Sequence, residues 1–378
     1  MVLILAQLFG YMAAKFIGVR MVPRVQSRHR VPAIFGMVVF SNLTLLGPAL
    51  VPAPFGAVFL ILNGLSLGMV WGLLFGCIEG RRITDLLSVM LTLALVASTG
   101  VTKGAALALR SVTGCTELWM PFLTGLAFLP LLLVSLRLLT KLPQKTARDR
   151  EYAGLRTTMD AAGQRAFMKR WGPGIAGLVG VAALLTLFRD VRETFMADIF
   201  RENGVSLDFS KLAGTELLVA LCTGLPFFFI RFMKDSRRAF AVCSVATAAG
   251  AVLMGVTTLM HARGALGTQE WLVLAGIGLY LGYLPFYCVL PDRLYATLRT
   301  PGTVTFIIAQ ADAYGYLLSA FVVLFKALVS RSIHRTSILT DFAYATALLV
   351  PITILIAMRY FLRRTAALPP ETTRAEAV

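Results

Sequence analysis

Residues 56–77 read GAVFLILNGLSLGMVWGLLFGC, a run without a charged side chain. A helix needs about 20 mostly apolar residues to cross the ~30 Å hydrocarbon core of a bilayer. The run is rich in Leu and Gly and does not alternate apolar with polar residues, as a barrel strand would. It therefore predicts a membrane-spanning helix.

Ten further runs that are mostly apolar lie before and after it. The chain of 378 residues is 57% hydrophobic and 15% charged, whereas soluble domains carry about 25% charged residues. The sequence thus predicts an all-α, polytopic integral membrane protein. Its eleven predicted spans are 2–21, 31–52, 56–77, 85–108, 117–139, 174–198, 212–232, 239–260, 270–290, 303–325 and 340–361.

The net charge of +17 reports topology, not nucleic-acid binding, because the basic residues form short clusters between apolar runs. Alternate loops on one side hold 25 of the 36 Lys and Arg residues, the other side holds seven, and four lie inside spans. Lys and Arg accumulate on cytoplasmic loops, so the C-terminus is predicted to be cytoplasmic. Eleven spans then place the N-terminus outside with little to hold it there, and we expect that one helix is missing before the first span.

An internal repeat relates the two parts of the chain. Gly64-Leu-Ser-Leu-Gly68 aligns with Gly278-Leu-Tyr-Leu-Gly282, and the same offset aligns the basic residues Arg20 and Arg24 with Lys234 and Arg238. Parallel repeats of this kind build transporters from two halves. The predicted units are a first half at 1–140 without its first helix, a cytoplasmic linker at 141–172, a second half at 173–362 and a cytoplasmic tail at 363–378.

Glycines recur at every fourth position along the span 56–77. Such a stripe lets a neighbouring backbone approach closely, because packing replaces the hydrophobic effect between helices in lipid. We interpret it as a helix-packing surface and not as a binding site. Its members are Gly64, Gly68, Gly72 and Gly76.

Polar side chains form stripes on three other spans, which predicts a polar path through the centre of the protein. Ionisable groups at membrane depth are costly and are functional candidates for that reason. The first stripe is Gln7, Tyr11 and Lys15; the second is Ser88, Thr92, Thr99 and Lys103; the third is Thr305, Asp312, Tyr316 and Ser319, with Gln310 nearby.

The densest charge cluster reads FRDVRETF at 188–195. One interpretation is a locally neutralised cluster near the outer end of its helix, with Asp190 and Glu193 as counter-ions. The other is that Arg189 points into the path as an anion ligand, because a guanidinium binds phosphate or carboxylate in a fixed two-pronged geometry. Arg192 is a weaker candidate for the path.

The lysines and acids of the path also have two interpretations. Lys15 and Lys103 either bind substrate or extend to the membrane surface along their aliphatic stems. Asp312 lies near mid-membrane and either carries a proton or pairs with a basic residue. Glu216 is expected to be structural.

Enzymatic chemistry has no support in the sequence. It contains no G-x-S-x-G, Walker or H-E-x-x-H motif, and its five cysteines and three histidines show no metal-ligand spacing. We therefore expect no catalytic residues, no metal, no cofactor, no ATP and no nucleic-acid partner.

The sequence resembles the major facilitator superfamily, and in particular its organophosphate:phosphate antiporters. The stretch 60–71 is similar to their fourth helix, Tyr11–Gly18 to their second-helix Ser-Lys-Phe segment, and Met233–Arg238 to the second-half Asp-Arg-x-x-Arg-Arg loop. The resemblance places Arg189 at one of two substrate-phosphate arginines on helix seven. We expect that the helix carrying the other arginine is the one missing before the first span, and the loop at 22–28 lacks the usual aspartate.

A closer resemblance is to an uncharacterised bacterial family of the same superfamily, with Phe-Arg-Asp-x-Arg-x-x-Phe, Asn-Gly-Leu-x-Leu-Gly-Met and the sequence Asp292-Arg293-Leu294. The resemblances imply a monomer in a bacterial inner membrane.

Two functions are open at this point. The first is a secondary transporter of a small organic anion that works by alternating access, with Arg189 and Lys15 as ligands beside Tyr11 and Gln7, and Asp312, Glu193 or Asp190 as proton or counter-ion sites. The second is a sensor or assembly protein on the same scaffold, since fold does not fix function. A channel is disfavoured, because no filter loop or ring of like charges is evident.

Overall fold

The computed structural model describes residues 2–22, 25–78, 81, 84–143, 146–147, 161–206, 208–230, 233, 235–298, 304–329 and 334–366. Within these ranges every regular element is a helix. The helices are α1 Val2–Met21, α2 Ser27–Thr44, α3 Gly47–Leu50, α4 Ala53–Ile78, α5 Thr84–Thr113, α6 Met120–Thr140, α7 Ala161–Glu202, α8 Phe209–Ile230, α9 Ser236–Ala262, α10 Thr268–Cys288, α11 Leu290–Leu298, α12 Val304–Val329 and α13 Arg335–Ala366.

The prediction of an all-α polytopic membrane protein is confirmed. Each of the eleven predicted spans overlaps a helix of the structure. Among the described residues, eight helical segments are long and apolar enough to cross a membrane, and α1 contributes a shorter apolar stretch, Val2–Gly18. The eight are Ser27–Leu50, Phe55–Ile78, Leu86–Thr113, Met120–Thr140, Ala162–Glu202, Ser236–Ala262, Thr268–Cys288 and Arg335–Ala366.

The repeat relates whole helices as well as motifs. When the offset between Gly64 and Gly278 is added to the bounds of α1, α2, α4, α5 and α6, it gives ranges that overlap α8, α9, α10, α12 and α13 in the same order. Helix α7 has no counterpart among the described residues of the first half. We refer below to α1–α6 as the first half and to α7–α13 as the second half.

The segment predicted as a linker is partly helical. Helix α7 begins at Ala161, so residues 161–172 extend the first helix of the second half. Phe167 and Trp171, one turn apart, are buried, and the Phe167 ring stacks on that of Tyr295 at a centroid distance of 5.3 Å. The sequence obscured this helix because Arg165, Lys169 and Arg170 occupy the opposite, exposed positions.

Glycines bring α1 and α4 into backbone contact. A Cβ atom on Gly64 would lie 2.2 Å from the carbonyl oxygen of Gln7, and one on Gly10 would lie 2.2 Å from that of Ile61. The next glycine of the stripe, Gly68, faces Ala14. Packing of this kind, with small residues at the contact, is what associates helices in lipid.

The remaining glycine positions follow the same logic. Gly72 faces Val22. A Cβ atom on Gly76 would lie 2.9 Å from a guanidinium nitrogen of Arg30. In the second half the repeat partner of Gly64, Gly278, contacts Gly250 of α9, each Cβ position lying 2.3–2.5 Å from the other residue's carbonyl oxygen. Close crossings at glycine are therefore common to both halves.

In the described ranges the two halves meet mainly at two interfaces, α1 with α12 and α5 with α8, and α5 also contacts α10. The repeat relates α1 to α8 and α5 to α12, so the interfaces are equivalent under the offset. At the second one Gly100 lies against α8, where its Cβ position is 2.5 Å from the Leu212 carbonyl oxygen. The largest buried cluster is built around α7 and α10, and it supports the polar site described next.

Candidate functional site

Arg189 is the centre of the site; it begins the last third of α7 and is 7% exposed. Its guanidinium donates to the hydroxyl of Tyr283 on α10, to Oδ1 of Asp190 at 2.8 Å, and to the hydroxyl of Tyr316 on α12 at 3.4 Å. The guanidinium carbon also lies 4.9 Å from the centroid of the Tyr283 ring, a distance typical of a cation–π contact. Three helices thus hold one cation.

The counter-ion of Arg189 is Asp190. The second carboxylate oxygen of Asp190 accepts a hydrogen bond of 2.7 Å from Ser319 on α12. Glu193, one turn after Arg189, instead accepts a 2.7 Å hydrogen bond from Tyr280. The local neutralisation predicted for this cluster is present through Asp190, and the cluster lies in the last third of α7.

Lys15 and Asp312 join the two halves. The Lys15 ammonium on α1 lies 2.6 Å from Oδ2 of Asp312 on α12, and the two side chains are 14% and 11% exposed. The same ammonium lies 5.7 Å from the centroid of the Tyr316 ring, and Tyr11 stacks on Tyr316 with a 5° angle between the rings. Lys15 therefore does not extend to the membrane surface.

These contacts converge on Tyr316. Arg189 reaches its hydroxyl from α7 in the second half, while Lys15 and Tyr11 reach its ring from α1 in the first half. Two cations with two aspartates, Asp190 and Asp312, make the arrangement neutral as a whole. We call the set Tyr11, Lys15, Arg189, Asp190, Tyr283, Asp312, Tyr316 and Ser319 the central cluster.

Gln7 belongs to a different polar group, although it shares a helix face with Tyr11 and Lys15. It donates to the side chain of Asn63 on α4 at 2.8 Å. Asn63 in turn donates to Ser41 and Thr44 of α2. The close α1–α4 crossing directs this end of the stripe into the first half, so Gln7 supports packing there.

Arg192 does not line a path in this structure, contrary to the sequence-based prediction that made it a candidate for one. Its side chain is fully enclosed, donating to Oε1 of Glu216 on α8 at 2.8 Å and to the Leu272 carbonyl oxygen on α10 at 3.0 Å. Although Arg192 lies one turn after Arg189, its contacts are with α8 and with the backbone of α10 and not with the central cluster. Glu216 is its structural partner.

The second stripe, on α5, faces the second half near this pair. The Lys103 ammonium donates to the backbone carbonyl of Glu193, while the Thr99 hydroxyl donates to the Val96 carbonyl of its own helix at 2.8 Å. Thr92 contacts the sulfur of Cys288 at 3.2 Å. Gln310 on α12 is half-buried. The side chains of Arg20, Arg24, Lys234 and Thr305 lie outside the part of the chain that the structure describes.

The tyrosines of α10 were missed by the sequence analysis. Tyr280, Tyr283 and Tyr287 lie on one helix face, and their hydroxyls contact Glu193, Arg189 and Thr186. Their spacing of three and four positions was a readable signal, but aromatic residues in an apolar run are ordinarily core. Asn63 lies in the Asn-Gly-Leu-x-Leu-Gly-Met motif, and its polar partners were not predicted from the sequence, although a buried amide needs partners.

In the described ranges, no group of three or more His, Cys, Asp or Glu side chains is arranged to hold a metal ion. The chemistry available is that of charged and phenolic groups. Two cations can bind an anion when their carboxylate partners give way, and carboxylates can take up protons.

Solved structures with the same fold are secondary transporters. The chain is similar to the D-xylose–proton symporter, with a TM-score of 0.61 and 14% identity over 98% of this chain and 87% of that one. It is likewise similar to the major facilitator superfamily proton:xylose symporter bound to 6-bromo-6-deoxy-D-glucose, with a TM-score of 0.59 and 13% identity over 95% and 84%. A double-tryptophan variant of this symporter matches with a TM-score of 0.57 and 12% identity, over 96% of this chain and 84% of that one.

At this identity the likeness shows the fold alone, and the fold is that of the major facilitator superfamily. These neighbours do not bear on the organophosphate:phosphate antiporter branch. No curated protein sequence matches the chain. A family profile described as "Family of unknown function (DUF5690)" matches residues 1–364. Because this match covers nearly all of the 378 residues, the chain belongs to that family, DUF5690.

Proposed function

We propose that this protein is a secondary transporter that carries a small organic anion by alternating access between its two halves. The observation that supports it best is the convergence of Arg189 and Lys15, from opposite halves, on Tyr316. In transporters built from two repeats the substrate binds between the halves near the bilayer midplane, and the halves rock about it. A ligand that contacts both cations would bind to both halves at once and could therefore change how they are placed relative to each other.

An anion suits these two cations. A guanidinium offers paired N–H donors to phosphate or carboxylate, and an ammonium adds a compact positive charge. In the present arrangement Asp190 and Asp312 act as internal counter-ions. An incoming anion would take their place at the cations, and a phosphorylated compound would use the paired donors of Arg189 best. This class is also the one implied by the resemblance of the sequence to organophosphate:phosphate antiporters.

Charge balance supports coupling to protons. The four charged groups of the central cluster sum to zero, so an added anion leaves a net negative charge in a poorly solvated site. Protonation of Asp312 would restore neutrality and would release Lys15 for the ligand. The names of the structural neighbours, which are proton symporters, favour this direction of coupling.

The test is the thermal stability of the purified protein with inorganic phosphate, glycerol 3-phosphate, a dicarboxylate and D-xylose. A ligand at 100 times its Kd stabilises the folded state by about 2.7 kcal/mol. The variant is Arg189→Gln with Asp190→Asn, which removes the cation without leaving an unpaired aspartate. The control is Arg201→Gln with Asp198→Asn, a pair on the same helix with side chains 57% and 43% exposed.

We expect stabilisation by an anion in the wild type and in the control, and none in the Arg189 variant. Equal stabilisation of all three proteins would show that the anion binds elsewhere. Stabilisation by D-xylose alone would mean that the substrate is a neutral sugar and not an anion. Uptake of the stabilising compound into proteoliposomes would then distinguish transport from binding without transport.

A further inference from the structure

Glu216 is a buried carboxylate with one unsatisfied oxygen. It lies on α8 and is 1% exposed. Its Oε1 accepts the 2.8 Å hydrogen bond from Arg192, but its Oε2 has no hydrogen-bond partner within the described residues. An ionised carboxylate oxygen that lacks a donor in a protein interior is costly, and a proton on Oε2 removes that cost while Arg192 keeps its hydrogen bond to Oε1.

The position of Glu216 is the interface between the halves. Gly100 of α5 packs directly on it, and a Cβ atom at Gly100 would lie 2.7 Å from the Glu216 Cγ atom. The absence of a side chain at Gly100 lets the backbone of the first half cover the carboxylate of the second. Glu216 lies two turns after the start of α8 at Phe209, about 10 Å along the helix axis, which is a short distance for a proton from the predicted outer side.

Four other polar groups of the surrounding helices interact electrostatically with Glu216. They are Arg192 and Glu193 of α7, Lys103 of α5 and Tyr280 of α10. Lys103 donates to a backbone carbonyl and not to Glu216, so it leaves Oε2 without a donor. With Glu216 ionised, the two cations and two carboxylates sum to zero.

We infer that Glu216 is a proton-binding site of the transport cycle, separate from the cations that bind the anion. The step is the reversible addition of one proton from the aqueous phase to Oε2, which converts the carboxylate to the neutral acid while Oε1 continues to accept from Arg192. This inference rests on the proposed function for its role in the cycle, but the protonation itself does not.

Protonation links this site to the central cluster by charge. A neutral Glu216 leaves its group with a net charge of +1, and Glu193 of that group is one helical turn from Arg189. The added positive charge favours an anion at Arg189. Because coupling free energies are reciprocal, a bound anion favours the proton on Glu216 to the same extent, and the two are carried together.

The first experiment detects the proton directly. Infrared difference spectra of the reconstituted protein, recorded between about pH 5 and pH 8, show the C=O band of each carboxylic acid as it gains its proton. We expect Glu216→Gln, which keeps the shape and the acceptor for Arg192, to lose one such band. The control Glu117→Gln, at a side chain that is 72% exposed, should retain it. An unchanged spectrum in Glu216→Gln would overturn the inference.

The second experiment measures coupling with inorganic phosphate as the probe. The ratio of wild-type to Glu216→Gln affinity cancels the titration of phosphate itself. We expect this ratio to fall by up to about tenfold per pH unit once Glu216 loses its proton, and the variant to exchange phosphate but not to accumulate it on a proton gradient. Proton-driven accumulation by the variant would refute the role. If neither phosphate nor the other anions named above bind either protein, the proposed anion function fails, whereas the infrared result still decides whether Glu216 takes up a proton.

Discussion

Lys15 and Asp312 come from opposite ends of the sequence and form a 2.6 Å ion pair across the interface of the two halves. Both side chains are largely buried. The Lys15 ammonium lies beside the Tyr316 ring, and Asp312 is on the same helix as Tyr316. A pair in this setting contributes less through its own attraction than through the cost of breaking it, because one charge left alone in the interior is strongly unfavourable.

We therefore predict non-additive effects of neutralising this pair. Lys15→Met and Asp312→Asn should each lower the free energy of unfolding by about 3 kcal/mol, whereas the double variant should lose much less than the sum. Denaturant unfolding of the purified proteins in detergent gives the coupling energy. Additive losses would mean that the two residues do not depend on one another.

The hydroxyl of Tyr283 should contribute more to the free energy of unfolding than the hydroxyl of Tyr287, which lies one turn further along α10. Tyr283→Phe removes an acceptor of the buried Arg189 guanidinium, and a lost hydrogen bond to a charged group costs about 1.5–3 kcal/mol. Tyr287→Phe removes a contact of 3.3 Å with the neutral Thr186 hydroxyl, for which about 0.5–1.5 kcal/mol is expected. The same unfolding measurement ranks the two, and a larger loss for Tyr287→Phe would contradict the assignment of Tyr283.

Gly64 should not tolerate even one methyl group. Gly64→Ala places a Cβ atom 2.2 Å from the Gln7 backbone oxygen, so α1 and α4 must separate, and overpacking of this kind costs about 1–3 kcal/mol or more. The control is Gly36→Ala on α2, where the added atom meets nothing within 4 Å. A lowered melting temperature for Gly64→Ala alone is the expected result.

The polar group around Asn63 should stabilise the first half. Asn63→Leu removes the partner of Gln7 and the hydrogen bonds to Ser41, which are 2.8 and 2.9 Å long. At about 0.6 kcal/mol for each interhelical hydrogen bond in a membrane protein, we expect a loss of roughly 2 kcal/mol. Ser41→Ala removes only part of the group and should cost less. Equal stability of wild type and Asn63→Leu, measured by thermal unfolding, would show that the group contributes nothing.

The fold was readable from the sequence because its causes are local. Uncharged runs of about 20 residues leave few alternatives to a spanning helix, and the repeat of Gly64 in Gly278 indicated two related halves. The start of α7 was not readable, because three basic residues masked the buried pair Phe167 and Trp171.

The sequence predicted which residues form the candidate site, but not which of them pair with each other. Lys15, Arg189 and Asp312 were evident as charges inside spans, but which acid would partner which base depends on how helices far apart in sequence are placed. Arg189 pairs with the adjacent Asp190 and not with Glu193, and Arg192 pairs with Glu216 on another helix. Tyr283 escaped notice since its hydroxyl becomes significant only beside a guanidinium.

The two interfaces between the halves differ in what holds them. At α1–α12 the contact is an ion pair that a substrate or a proton can dissolve, whereas at α5–α8 it is the backbone of Gly100 pressed on Leu212, which no solute can displace. For the proposed transport cycle we therefore expect the α5–α8 contact to persist and the α1–α12 ion pair to break, which opens the gap between the halves beside Lys15 and keeps it closed beside Glu216.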